Sequence, residues 1–212
     1  MSENRFKIDK FYDDLSESWD NTRPKYTREI FRRIISHLDK NKQYSILDFG
    51  CGTGILCRFI SENFPESRID GIDISNQMIE KGKINCQNCN FYVGDISSTN
   101  LPCYDIIISK DVFNHIDDIY NTISILNGLL NTKGKIIIAN RERNSNIKNK
   151  IINVLETLNY KISTEYYSFK PAKEEIDSFL KTLSGFKEEH KNVIRKKLES
   201  KDKYYIIFAD KK

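Results

Sequence analysis

The chain has 212 residues, with 34 basic against 30 acidic side chains and a net charge of +4. That length suits one ordinary domain with short appendages, and the charge is too balanced to imply a nucleic-acid partner by itself. No apolar run approaches the roughly 20 residues of a membrane span, and the first residues lack a signal peptide's apolar core; five unevenly spread cysteines (Cys51, Cys57, Cys86, Cys89, Cys103) point to a reduced cytoplasmic protein rather than a disulfide scaffold.

Up to about Thr22 the chain is polar, with Phe6, Phe11, Tyr12, Leu15 and Trp19 at rough helical spacing. A helix is predicted from about Thr27, with Ile30, Phe31, Ile34, Ile35 and Leu38 on one face. From Tyr44 the pattern alternates. Strands are predicted near 45–49, 68–73, 90–93, 104–109 and 135–139, and helices near 54–64, 76–86, 117–131 and 145–158. Such alternation predicts a doubly wound, mostly parallel α/β sheet with right-handed crossovers. Pro65 and Gly134 sit where helices should stop. A strand at 161–169, two amphipathic helices (Ile176, Phe179, Leu180, Leu183; then Val193, Ile194, Leu198) and an apolar strand at 204–209 complete the chain.

The most informative stretch is Ile46-Leu47-Asp48-Phe49-Gly50-Cys51-Gly52-Thr53-Gly54. A strand end, three alternating glycines and a helix start form the kind of turn where nucleotide-like ligands sit in open α/β sheets. Asp73 closes the next strand, where a ribose hydroxyl pair would take a carboxylate. The spacing is G-x-G-x-G rather than G-x-G-x-x-G, and Asp48 precedes it. An acid there repels a pyrophosphate and suits a ligand carrying an ammonium.

This motif resembles motif I of the class I S-adenosylmethionine-dependent methyltransferases, and later segments match that family in order. The resemblance implies a seven-stranded sheet of order 3-2-1-4-5-7-6 with the last strand antiparallel. The domain is then read as an N-terminal lid (1–42), a cofactor-binding core (43–140) and a substrate side (141–212) with a helical insertion (171–202). Further implied are S-adenosylmethionine as cofactor, S-adenosylhomocysteine as product, no metal and a small-molecule acceptor. No membrane or nucleic acid is expected, and the protein is read as a monomer or homodimer. The backbone of Gly50, Cys51 and Gly52 would run beside the methionine part, Asp73 would take the ribose, and Ile74 and Met78 would lie against the adenine. Phe91-Tyr92-Val93-Gly94-Asp95-Ile96 resembles the end of the family's third strand, which gives Asp95 and the Ile96 backbone the adenine amino group; Gly-Asp after a strand is also a common turn. Ser109 and Lys110 would flank the cofactor at the exit of the fourth strand. Trp19 and Arg23 would reach it from the lid, Arg23 toward the methionine carboxylate; the alternative role of Trp19 is to anchor a surface helix.

On the acceptor side, His115 is the candidate general base, since imidazole titrates near neutrality; its alternative role is packing the following helix. Tyr12, Tyr26 and Asn114 are candidate acceptor contacts. Arg141 would hold a carboxylate or phosphate, or else be a solvated loop arginine. Tyr166, Tyr167 and Phe169, near the end of the sixth strand, would line an apolar or aromatic pocket. Pro102-Cys103 precedes the fourth strand, at the sheet's inert edge, which argues against a nucleophilic cysteine. Cys86 and Cys89 lack a second pair for zinc. The alternative functions are a tRNA, rRNA or protein methyltransferase, for which the basic run Lys187–Lys203 is the only support, and a cofactor-binding regulator without turnover.

Overall fold

In the computed structural model, residues 26–142, 145–169, 173–182, 188, 191–192, 195 and 202–212 are described. The apolar runs form strands β1 (Ser45–Phe49), β2 (Arg68–Asp73), β3 (Asn90–Val93), β4 (Tyr104–Lys110), β5 (Leu130–Arg141), β6 (Tyr160–Phe169) and β7 (Asp202–Lys211). Between them lie helices α1 (Tyr26–Ser36), α2 (Ile55–Asn63), α3 (Asn76–Asn85), α4 (Ile119–Gly128), α5 (Ser145–Thr157) and α6 (Lys173–Thr182). The sheet order is β3-β2-β1-β4-β5-β7-β6, as the motif order implied. β1 through β5 pair in parallel, and β7 runs antiparallel to both β5 and β6. β6 therefore shares the direction of β5, and its carboxyl end lies at the same sheet edge as the ends of β1–β5.

Period-two alternation divides the strands between two buried layers. Ile106, Ile108, Ile137 and Phe208 pack with Ile30, Phe31, Ile34 and Ile60 on the α1–α2 side. Ile107, Ile136, Ile138 and Ile207 pack with Ile123, Leu126, Ile151 and Leu155 on the α4–α5 side. The isoleucine runs of β4 and β5 lack polar alternation for this reason: both faces are covered. α1 is fastened to the far end of the sheet. His37 stacks on Phe208 with ring centroids 3.7 Å apart, and Arg33 lies 4.8 Å over the Tyr167 ring.

Three sequence expectations change. Gly134 does not stop a helix. α4 ends at Gly128, and the strand already starts at Leu130, which pairs with Tyr104 before the register shifts. Lys133, at φ 63°, and Gly134 belong to that irregular start. The helix predicted from 117 begins at Ile119, capped by Asp118, whose side chain accepts from the Asn121 N–H. The cysteines are not all reduced: Cys86 and Cys89 form a disulfide. The turn after α3, closed by Cys89 N–H donating to Cys86 O at 3.2 Å, brings the two side by side. No described helix is long and apolar enough to cross a membrane.

Candidate active site at the carboxyl edge of the sheet

The turn after β1 is built by two backbone donations to one carbonyl. Gly50 N–H and Cys51 N–H both donate to Ile72 O, at 2.8 and 3.1 Å. Gly50, Gly52 and Gly54 all have positive φ, at 73°, 53° and 70°. The space around them differs. A Cβ on Gly54 would meet the Phe91 ring at 2.7 Å, whereas one on Gly52 would meet nothing within 4 Å among the described residues. Gly54 is thus a packing glycine, and Gly52 borders open space above the loop.

Asp73 is tied to this loop. Its Oδ2 accepts from Gly52 N–H at 2.9 Å and its Oδ1 from Ser75 N–H at 3.0 Å. Ser75 in turn caps α3, its hydroxyl accepting from Met78 N–H at 3.2 Å. Ile74 is half-buried and the Met78 side chain fully buried. Beneath the loop, Asp48 is 2% exposed and accepts from the Cys57 thiol at 3.4 Å. Burial pushes the Cys51 thiol up; the hydrogen bond with Cys51, together with burial, raises that of Cys57. Both therefore stay protonated at neutral pH and are not nucleophiles.

After β3, Asp95 closes a turn, its Oδ1 accepting from Ser97 N–H and Oγ at 2.7 Å. The Ile96 side chain is buried in the α4–α5 layer, which leaves its backbone for any ligand. At the end of β4 the Ser109 hydroxyl is buried and has no hydrogen-bond partner among the described residues. An orphaned buried hydroxyl is costly, and a ligand at this edge would satisfy it.

Beyond β4 lies a hydrogen-bonded chain that includes two side chains the sequence reading passed over. Lys110 pairs with Asp111. Tyr204 donates to Asp111 Oδ2 at 2.9 Å, and Arg141 Nε donates to the Tyr204 hydroxyl at 2.9 Å. Asp111 has φ 62°, a conformation that costs on the order of 1 kcal/mol for a non-glycine residue. Burial would raise its pKa, but Lys110, Arg141 and Tyr204 outweigh that and hold it below the usual carboxylate range. Asp111 had a faint sequence signal, an acid beside Lys110 at a strand exit. Tyr204 had none, because only the β5–β7 register, Arg141 opposite Tyr204, brings it here.

The remaining predicted residues are scattered. Asn114 donates to Arg141 O at 3.4 Å, within reach of the edge. His115 is exposed in a single 3-10 turn, Phe113–His115. Tyr166 and Tyr167 do not form one wall, because neighbouring strand residues point to opposite faces. Tyr166 is 59% exposed, with the Lys148 ammonium 4.9 Å over its ring; Tyr167 packs under Arg33 and bonds Glu165. Tyr26 opens α1. Tyr12, Trp19 and Arg23 lie outside the described residues. Among the described residues, no group of three His, Cys, Asp or Glu side chains is placed to hold a metal ion.

A mostly parallel sheet of this order, with its last strand antiparallel and with a glycine turn, an acid after β2 and polar groups after β4 along one edge, defines a class I S-adenosylmethionine-dependent methyltransferase. Residues 40–211 match the family model described as a methyltransferase domain, and the chain belongs to that family. It is 43% identical over 99 residues to malonyl-acyl-carrier-protein O-methyltransferase 1 of Ilyobacter polytropus, a match covering 45% of this chain and 37% of that protein. It is 32% identical over 126 residues to the malonyl-acyl-carrier-protein O-methyltransferase of Halalkalibacterium halodurans, covering 53% and 46%. The matches thus span less than half the length of these relatives. Among solved structures, the N-methyltransferase NodS of Bradyrhizobium japonicum in complex with S-adenosylhomocysteine superposes with a TM-score of 0.61 at 14% identity, covering 92% of each chain. The precorrin-6y C5,15-methyltransferase of Geobacter metallireducens gives 0.65 at 17% identity, covering 87% of this chain and 88% of that one. At such identities these two structures share the fold alone.

Proposed function

We propose that this chain methylates a carboxylate oxygen of a small acyl acceptor, a malonyl thioester, at the expense of S-adenosylmethionine. The observation that carries this reading is the Lys110–Asp111–Tyr204–Arg141 chain, which sets two cations at the ends of β4 and β5. The malonyl relatives point the same way. A carboxylate acceptor wants a cationic anchor, and Arg141 supplies one.

The residues present fit the cofactor. The open space over Gly52, the Asp73 carboxylate with its roughly four acceptor sites and the orphaned Ser109 hydroxyl agree with a nucleoside lying along this edge. Gly50, Cys51 and Gly52 would line the methionine part, over the buried charge of Asp48. Ile74 would flank the adenine beside the N-terminus of α3, with Met78 buried behind it. Asp95 and the Ile96 backbone would receive the adenine edge. When bound, the cofactor supplies a methyl group activated by its sulfonium. The chain itself orients the acceptor and excludes water, which is worth about 7–11 kcal/mol when alignment is good.

Proton transfer has no part in this reading. A carboxyl group with a pKa of about 4 is already ionised at neutral pH, so the acceptor needs no base. His115, exposed on its turn, is assigned none.

The test is direct. Full-length protein is incubated with methyl-labelled S-adenosylmethionine and malonyl groups carried on an acyl carrier protein or on coenzyme A, and the products are read by mass spectrometry. A methyl ester in either arm supports the reading, and the preferred arm identifies the carrier. Cofactor consumption with hydroxyl or amine acceptors and none with either thioester contradicts it.

A further inference from the structure

The two cations at this edge are held by neighbours. Lys110 is only 11% exposed and its ammonium rests against Asp111. Arg141 is fixed twice: its Nε donates to the Tyr204 hydroxyl, and its backbone N–H donates to Asp111 Oδ1 at 3.2 Å. Tyr204 is 1% exposed, and both cations lie near its ring, with the Lys110 ammonium and the Arg141 guanidinium 5.8 and 5.7 Å from its centroid. Asp111 anchors the whole to the sheet, its N–H donating to Ala139 O at 2.8 Å from a left-handed backbone. One carboxylate and one phenol thereby join three strands, β4, β5 and β7.

For stability alone such a partly buried polar chain is weak evidence, since apolar packing does as well. Placed at the ligand edge it has a different consequence. Long cationic side chains lose rotamer freedom when they clamp an anion, and fixing them beforehand removes that cost from binding. We propose that Asp111 and Tyr204 are positioning residues that hold Lys110 and Arg141 in place to receive the anionic group of the acceptor. This rests on the carboxylate-acceptor reading above. Held by one oxygen, the carboxylate presents the other to the methyl donor. The oxygen–methyl bond forms as the sulfur–methyl bond breaks, with its electron pair passing to sulfur and no proton moved. The ester so formed has lost the charge that the cations hold, so the product is bound more weakly than the substrate.

Tyr204→Phe keeps the ring and removes the link; Asp111→Asn keeps the shape and removes the charge. Both are compared with the wild-type full chain, using malonyl-acyl-carrier protein as acceptor. The expected result is an acceptor KM raised by about tenfold or more with kcat changed far less, and S-adenosylhomocysteine affinity within about twofold. A second readout needs no turnover: the 15N-resolved Nε–H signal of Arg141 should be protected from exchange in the wild type and lose protection in Tyr204→Phe. An unchanged KM, a parallel loss of S-adenosylhomocysteine affinity, or an unaltered Nε–H signal overturns the proposal. A wild type that esterifies neither malonyl thioester contradicts the acceptor reading instead, and the Nε–H signal then decides the positioning by itself.

Discussion

The Gly52 backbone N–H donates to the Asp73 carboxylate at 2.9 Å. The turn after β1 and the acid that ends β2 are therefore one unit. Asp73 fixes the loop with one oxygen and, through Ser75 N–H, the start of α3 with the other. Charge-assisted bonds of this kind contribute about 1.5–3 kcal/mol each. The same carboxylate shapes the loop and faces the expected ribose, so loop order and cofactor affinity should change together.

The glycines of this loop should separate folding from binding. Gly54→Ala drives a Cβ to 2.7 Å from the Phe91 ring and 3.1 Å from Gly82 Cα. Overpacking of that sort, added to the positive φ, should cost about 1–3 kcal/mol of stability. Gly52→Ala meets no atom of the described residues within 4 Å. It should lower Tm by less than Gly54→Ala, yet abolish S-adenosylhomocysteine binding because its methyl enters the ligand's space. Thermal melts with and without that ligand check both.

His115 gives a pH prediction. If the acceptor is a carboxylate, His115→Ala should keep kcat within about threefold, and kcat/KM should show no inflection near pH 6.5 that disappears in the variant. Loss of activity by about 10²-fold or more would mean that His115 takes a proton, and hence that the acceptor is a hydroxyl or an amine.

Acid stability should depend on Glu165. The Tyr167 hydroxyl, against the opposing effect of burial and with help from His37, holds its carboxyl below the ordinary value of 4.5. A carboxylate whose folded pKa is depressed stabilises the fold above its unfolded pKa, and that contribution is lost as pH falls through the folded value. Tm should therefore drop more steeply below pH 4.5 for the wild type than for Glu165→Gln, and the two curves should converge in acid. Parallel curves would remove Glu165 from the attachment of α1 to β6.

Thiol counting tests the cysteine assignment. Cys103 is exposed, Cys51 and Cys57 are buried and Cys86 is bonded to Cys89. The native protein should react at one thiol, the denatured unreduced chain at three and the reduced chain at five. Five reactive thiols without reductant would exclude the disulfide.

The turn after β1 and its neighbour at the end of β2 were legible because their signals are local. Glycines that need positive φ, an acid one strand later and isoleucine runs buried on both faces are each written within a few residues. The strand order followed from motif order once the resemblance was seen. The helix stop at Gly134 was misread because a glycine after an apolar helix suits both a helix end and an irregular strand start. Only the pairing of Leu130 with Tyr104 separates the two. The edge beyond β4 was the least legible. Asp111 and Tyr204 stand 93 residues apart and meet through an antiparallel register that no local pattern encodes. Tyr166 and Tyr167 looked like one wall because they are adjacent, and adjacency in a strand means opposite faces.

Calorimetric titration of the full chain with S-adenosylhomocysteine, wild type against Asp73→Ala, tests the central claim most directly. The account predicts one site per chain in the wild type and an affinity about 10²-fold weaker in the variant, for the loss of two charge-assisted bonds. No binding to the wild type, or equal binding to both proteins, would contradict it.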